Sequence, residues 1–569
     1  MNQSIDVPAP RVSTSALSTI APHPKGSKAR VLLSSVFGPY GQDDKFGSRS
    51  INPMELYHNQ VTRVQGPFSL RMFHRSWGLM FIQENISAPS VLLDFPDREK
   101  FIEELVHGRY DIVGISSIVM NVGKVREMCR LVRHYSPDST IVVGGHVAAI
   151  PELEDMIDAD HIVRGEGVRW LRGYLGEDQA APIRHPLILS GFGQRALGVS
   201  AEPDHNSRAA TVIPSVGCPL GCNFCATSEF FGGKGSFENF YDSGQELFEV
   251  MLQIEQQGKV QSFFVMDENF LLHRRRALQL LDLMKKHDKS WSLYVFSSAN
   301  AIRKYRMEEL VALGISWVWM GLESPNSSYT KLKHADTRSL VADLRECGIK
   351  VLGSTIIGLE HHTPSNLAAE VDYAVSHGTD FHQFMLYTPL PGTPLYQQLK
   401  SEGKLLPAVD PADIHGQYKF NFLHPAISRD HSKILLDGAF ERDYDTNGPS
   451  LFRICQTALR GWKRHGGHQD RRVRERFRRE SQDLRRSHAA MLWAMEKYFK
   501  RINPRIGDNI RRLRHDLQRE FGWLTRLFAH LGGPVVLWTG RREARRLAKG
   551  FRYEPPTFVE RRNWVEERC

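Results

Sequence analysis

From 30 to 175 the chain alternates short β-branched runs with segments whose apolar residues recur every three or four positions. The runs at 30–37, 91–95, 111–120, 140–147 and 161–165 are nearly continuous in apolar residues, the pattern of strands buried on both faces of a parallel sheet. Between them, Asp97 is placed to cap a helix that sets Phe101, Ile102, Leu105 and Val106 on one face and stops at Gly108; 121–134 follows the same period. This alternation predicts a doubly wound α/β domain over 30–175, with its ligand at the C-terminal ends of the strands. The segment 40–88, rich in aromatics and amides, fits no such alternation and receives no assignment.

A Gly/Asp/Pro-rich linker over 176–208 precedes a second alternating series. Its strands are expected at 210–216, 262–266, 291–298, 315–321, 350–358 and 381–387, with helices such as 244–256 and 275–287 between them. Six strand–helix units in about 190 residues are too few for the eight-unit barrel of about 250 residues, so a partial (β/α)6 TIM-type barrel is expected over 209–400. From 401 to 569 the pattern is helical, with breaks expected at Pro504, Gly532 and Pro534. Residues 1–29, rich in Ser, Pro and Ala and without a signal-like apolar run, read as a disordered leader.

Composition sharpens this picture in one respect. The 569 residues are 41% hydrophobic and 24% charged, which suits several folded units. The net charge of +10 is unevenly placed: residues 451–569 hold 30 basic and 13 acidic residues, or +17, leaving −7 for the rest. The tail is thus the anion-facing end, open to nucleic acid, an anionic membrane or an acidic protein. No run is long enough to span a bilayer; 522–540 carries Arg526 and His530 and is interrupted by Gly532-Gly533-Pro534. Seven cysteines without an export signal point to a reducing, cytoplasmic setting, peripheral to membranes at most. Cys129 shares a helix face with Val122, Val125 and Val132 and is expected to be buried.

The sharpest chemistry is Cys218-Pro-Leu-Gly-Cys222-Asn-Phe-Cys225, directly after the first strand of the second series. Three thiolates can hold an iron–sulfur cluster and leave one iron open, whereas a zinc knuckle needs a fourth ligand and no Cys or His stands at ligand spacing nearby. The motif resembles the CxxxCxxC signature of the radical S-adenosylmethionine (SAM) enzymes. That resemblance implies a [4Fe-4S] cluster on Cys218, Cys222 and Cys225 and cleavage of SAM to a 5′-deoxyadenosyl radical. It continues through Phe224 in the motif and Asp267, Glu268 and Asn269 at the second strand, where a carboxylate would receive the SAM amino group. Gly321, Glu323 and Ser324 resemble the fourth-strand segment that faces the SAM ribose and carboxylate, and 388–394 the loop after the sixth strand. Independently, carboxylates at the ends of buried strands are costly unless a partner meets them.

An α/β domain ahead of such a barrel resembles the Rossmann-like cobalamin-binding domain of cobalamin-dependent radical SAM enzymes. The resemblance places Ser116, Ser117, Gly144, Gly145, His146, Gly165, Glu166 and Gly167 around the cofactor's nucleotide tail. Glycines at strand ends suit such close backbone approach. The DxHxxG motif is missing, so the resemblance implies cobalamin without histidine ligation from that motif. Glu360, His361, His362 and Tyr387, after the fifth and sixth strands, are candidates to face substrate, or to hold their loops by hydrogen bonds.

In the tail, 471–480 carries charge on nearly every side, while 491–499 and 521–528 add Trp, Phe and Leu. Basic helices with interleaved aromatics suit an anionic membrane interface, RNA, or a solvated face of an ordinary helical domain. The expected activity is methylation or C–C bond formation at an unactivated carbon of a lipid or other hydrophobic metabolite, with a flavodoxin or ferredoxin as electron donor. RNA methylthiotransferases carry three more cluster cysteines in the domain before the barrel, and residues 1–217 contain only Cys129, which makes nucleic acid the weaker partner. A non-catalytic iron–sulfur sensor is the remaining alternative.

Overall fold

The computed structural model describes residues 20–47, 49, 55–191, 194–197, 199–200, 208–323 and 336–564. Strands β1 (Val31–Ser35), β2 (Ser90–Asp94), β3 (Ile112–Ser116), β4 (Thr140–Gly144) and β5 (His161–Ile162) form a parallel sheet in the order β2-β1-β3-β4-β5. The order reverses at β1, so β1 and β3 flank the switch point of a doubly wound fold, where a ligand crevice opens. Asp97 caps the Arg98–Gly108 helix by accepting from the Lys100 amide at 2.6 Å. Cys129 is fully buried in the core made by this sheet and its helices.

Strands β6 (Ala209–Val212), β7 (Ser262–Val265), β8 (Ser292–Phe296), β9 (Ile315–Gly321), β10 (Lys350–Ile357) and β11 (Phe381–Leu386) pair in sequence order, all parallel. This is the six-stranded partial barrel that the second alternation predicted. Along each strand one set of side chains, such as Phe263, Val265, Leu293, Val295, Val318 and Met320, packs against the helices. The other set faces inward and is strongly aromatic. Phe264 meets Tyr294 at 4.8 Å between ring centroids, Phe296 stacks on Trp319 at 4.6 Å, and Trp317 stacks on Phe381 at 5.3 Å.

The segment left unassigned by its pattern joins the other parts. Tyr57 packs 5.3 Å from Phe381, Gln60 accepts a hydrogen bond from Gln383 at 2.6 Å, and His74 stacks on Phe264, so the segment fills the inner side of the barrel. Gln65 donates to Ser450, and Phe68 packs edge-on against Tyr498 of the helical tail. Of the expected disordered leader, 1–19 lies outside the described residues, whereas 20–29 packs on the first domain: His23 donates its amide to the Tyr174 carbonyl, and Ala29 is fully buried.

The tail departs most from expectation. The Arg471–Glu480 helix is no solvated basic face but lies across the N-terminal rim of the barrel. Arg476, buried, donates to the carbonyls of Val311 and Ile315. Glu480 accepts from Ser292 and Lys350, both at 2.9 Å, and Arg479 donates to the Ser290 carbonyl and Gln261. Residues 491–499 are the inner face of a tail helix, with Met491, Leu492, Met495 and Phe499 buried. The helix Pro504–Phe521 begins at Pro504 as expected, but Trp523–Ala548 runs through Gly532-Gly533-Pro534 unbroken. Gly533 lets the helix pack closely on its neighbour, since a Cβ there would lie 2.5 Å from the Trp493 ring. Finally β12 (Phe558–Arg562) returns to the first domain and pairs antiparallel with β2, forming the outer edge of that sheet. Among the described residues no helix is long and apolar enough to cross a membrane.

Candidate active site

After β6 the chain makes a two-residue antiparallel pairing, Ser215–Val216 with Glu238–Asn239, which anchors both ends of the cysteine loop. Cys225 then caps the short Ala226–Phe230 helix, its Sγ accepting from the Ser228 amide at 3.5 Å, while Ser228 Oγ donates to the Cys218 carbonyl at 2.6 Å. Gly221 holds φ +59° and its position admits no side chain, because a Cβ would lie 2.6 Å from the Lys234 Cα. The three thiols are half-buried together, unlike Cys129, Cys347 and Cys455, which are buried in cores. Burial pushes the Cys218 thiol up to about 12, with the Cys225 and Cys222 thiols and Glu268 adding to it. Neighbouring thiols held neutral in this way charge only when a cation compensates them, and three of them half-buried together are the donor set of a metal cluster.

The two carboxylates after β7 part company. Asp267 is buried and saturated: it accepts from Arg276, from Ser215 at 2.7 Å and from the Asn269 amide at 3.0 Å. Burial alone would raise its pKa, but the Arg276 charge brings it below the usual carboxylate range. Glu268 is half-buried, yet its Oε2 is buried with no hydrogen-bond partner among the described residues, and desolvation with the Asp267 charge pushes it up to about 8. Asn269 serves the scaffold, accepting from Ser297 and the Ser298 amide and so tying this loop to the end of β8. Gly321 ends β9, Glu323 is buried beyond it, and Ser324 lies outside the described residues.

Loops of the first domain face this centre across a cavity of about 490 Å³, a volume ordinary for a ligand site. Ser116, Ser117, Gly144, Gly145, His146, Gly165, Glu166 and Gly167 all line it, and so do Thr227, Phe230, Phe231, Met266 and Glu268 from the barrel side. Gly145 (φ +80°) and Gly165 (φ +94°) hold left-handed backbone. Glu166 caps the Gly167–Tyr174 helix through the Val168 and Arg169 amides. His146 stacks on Phe230 at 4.8 Å; its Nε2 and the Ser117 Oγ are buried without hydrogen-bond partners among the described residues. A cradle of side-chain-free strand ends with orphaned polar atoms fits a cobalamin, held by those loops. Trp77, Phe81 and Ile82 of the unassigned segment also line the cavity and carried no sequence signal, whereas Phe230 and Phe231 stood beside the cysteine motif.

Of the four residues expected to face substrate, Tyr387 is closest to the centre. It receives a long hydrogen bond from Asn223 at 3.4 Å and packs 6.0 Å from Phe224. His362 is locked in its own loop, its Nδ1 accepting from the Gly358 and Leu359 amides at 3.0 and 3.3 Å, and burial lowers it to about 4. Glu360 and His361 are exposed, and among the described residues none of the four lines the cavity. His361, His362 and Glu370 bring possible ligand atoms within 4.8 Å of one another. An Nδ1 that accepts from two amides leaves the proton on Nε2, however, which makes His362 a donor there and a poor metal ligand.

Residues 212–397 match the Radical SAM superfamily model, and residues 85–174 match the B12 binding domain model. The bacteriochlorophyllide d C-8(2)-methyltransferase of Chlorobaculum tepidum is 24% identical over 390 residues, 64% of this chain and 83% of its own length. The hopanoid C-2 methylase of Rhodopseudomonas palustris is 24% identical over 351 residues, 58% of this chain and 62% of its own length. Among solved structures, the radical S-adenosylmethionine methyltransferase TsrM of Kitasatospora setae shares the fold at TM-score 0.50 and 16% identity, across 80% of this chain and 98% of that one.

Proposed function

From a chain that is a radical SAM enzyme carrying a B12-binding domain, we propose a cobalamin-dependent methyltransferase acting at an unactivated carbon of a lipid or other hydrophobic metabolite. The observation that carries this reading is the shared cavity, where glycine loops of the first domain and the cysteine-loop helix line one space. When bound, the [4Fe-4S] cluster with SAM supplies the radical chemistry, and cobalamin supplies the methyl group. Cys218, Cys222 and Cys225 hold the cluster. Asn223 and Phe224 fix its loop against Tyr387. Glu268, with an oxygen left over, is the carboxylate that can accept from a bound cationic group, since Asp267 is committed to Arg276. Gly144, Gly145, Gly165 and Gly167 allow close approach of the cobalamin, with Ser116, Ser117, His146 and Glu166 around them. The cavity's own lining, with Trp77, Phe81, Phe230, Phe231 and Met266, suits an apolar group, whereas the aromatic inner wall of the barrel is already covered by Tyr57 and His74. Two of the relatives are, by name, methylases of a bacteriochlorophyllide and of a hopanoid.

The test is anaerobic reconstitution followed by absorption spectra and product analysis with SAM, reductant and a total lipid extract. Bound cobalamin and cluster, with S-adenosylhomocysteine and a methylated extract component, are expected. Cluster without cobalamin overturns the methylase reading, and an intact cluster without SAM cleavage points to a sensor.

A further inference from the structure

The Trp523–Ala548 helix leaves a large apolar face without cover. Trp523, Leu524, Leu527, Phe528, Leu531, Val535 and Trp538 are all exposed, Leu531 by 68% and Trp538 by 62%. At about 100° per residue, these seven fall within an arc of about 140° on one side of the helix. Thr525, Ala529, Gly533, Gly540 and Glu543, the buried residues, occupy the opposite side. The helix is thus mounted on the tail by its small residues and turns its large ones outward. Its far end is fixed as well: a Cβ on Gly540 would touch Leu197, and Glu543 accepts from Tyr553, whose ring lies under Arg71 and Arg195.

The charge around the face has one sign. Arg541, Arg542 and Arg545, all exposed, continue the same arc beyond the apolar stripe, and Arg526 stands at its edge. Across 504–548 ten arginines oppose four carboxylates. Large apolar side chains with a tryptophan at either end of the stripe and arginines beside them match the boundary between lipid headgroups and acyl chains. A protein partner for so basic a rim would need acidic residues around an apolar patch, and a second copy would bring arginine against arginine; an anionic bilayer satisfies both parts at once.

We propose that this helix docks the protein in plane on an anionic phospholipid surface, seated by the Trp523–Trp538 stripe and held by Arg541, Arg542 and Arg545. The docking is independent of the methyltransferase reading, because it needs no cofactor. Flotation of the full chain with phosphatidylcholine–phosphatidylglycerol vesicles, against pure phosphatidylcholine, tests it directly. Binding to the anionic vesicles is expected, with Leu531→Glu/Val535→Glu lowering affinity at least about tenfold and Arg541→Glu/Arg542→Glu/Arg545→Glu removing the preference for phosphatidylglycerol. Ile434→Glu, at an equally exposed position on another helix, should bind as the parent does. All these sites are on the surface, so unchanged thermal transitions are expected in each variant. No binding by the parent, or equal binding by parent and Leu531→Glu/Val535→Glu, overturns the proposal. So does sedimentation velocity showing a dimer without lipid that the same double substitution dissolves, since a second copy would then be the occupant.

Discussion

Gly145 and Gly165 both hold backbone that costs an ordinary residue about 1–2 kcal/mol, yet their surroundings differ. A Cβ on Gly145 would sit 2.6 Å from the Ser117 carbonyl, while around Gly165 nothing lies within 4 Å. Gly145→Ala should therefore cut cobalamin retained per reconstituted chain to about a tenth or less, and Gly165→Ala should keep about half or more. Equal losses, measured by the cobalamin absorption per chain, would remove the steric account of the loop. The cysteine spacing and these glycines were readable because they are local patterns. The division between Asp267 and Glu268 was not, since it depends on Arg276 reaching back from the following helix, and nothing in the spacing of two adjacent carboxylates tells which one an arginine meets.

At the scale of elements, the Arg471–Glu480 helix shows how a basic segment can be interior. Burial would raise the Glu480 carboxyl, but Lys350, Arg476 and Ser292 hold it down at about 2. Its folded value lies below the ordinary 4.5, so its contribution is full above pH 4.5 and is lost as pH falls from there towards 2. That loss amounts to roughly 3 kcal/mol. Glu480→Gln should cost about 3–5 kcal/mol at neutral pH, by stranding Lys350 and Arg476, and should flatten the acid limb of stability. Urea midpoints taken across pH check both, and parallel acid limbs for parent and variant would refute the latch. Sequence periodicity found every barrel strand because each alternates or runs apolar by itself. It left 471–480 open between a membrane interface, RNA and a solvated face, because the partners are carbonyls and strand ends 130 residues or more away, such as Lys350 for Glu480. The 40–88 segment escaped for the same reason: its order comes from Phe381, Gln383 and Ser450.

For the whole molecule, β12 ties the tail to the first domain, with Arg561 also bridging to Glu104 at 2.9 Å and Thr557 donating to the Phe95 carbonyl. A chain ending at 550 should lose amide protection in Ser90–Asp94 and gain a tendency to associate through the bared edge, as hydrogen exchange and light scattering would show. Retained protection at those strand amides would mean the sheet closes without β12. The same pairing sets a timetable for synthesis. Asp94 and Phe558 are partners in register, and at about 5–20 residues per second the second emerges on the order of half a minute to a minute and a half after the first. For that interval the nascent first domain carries an open β edge while the barrel is still being made. A slow codon stretch anywhere between these two strands, the barrel included, lengthens that interval, and a holdase that covers the open edge until Phe558 emerges should raise the yield of native protein.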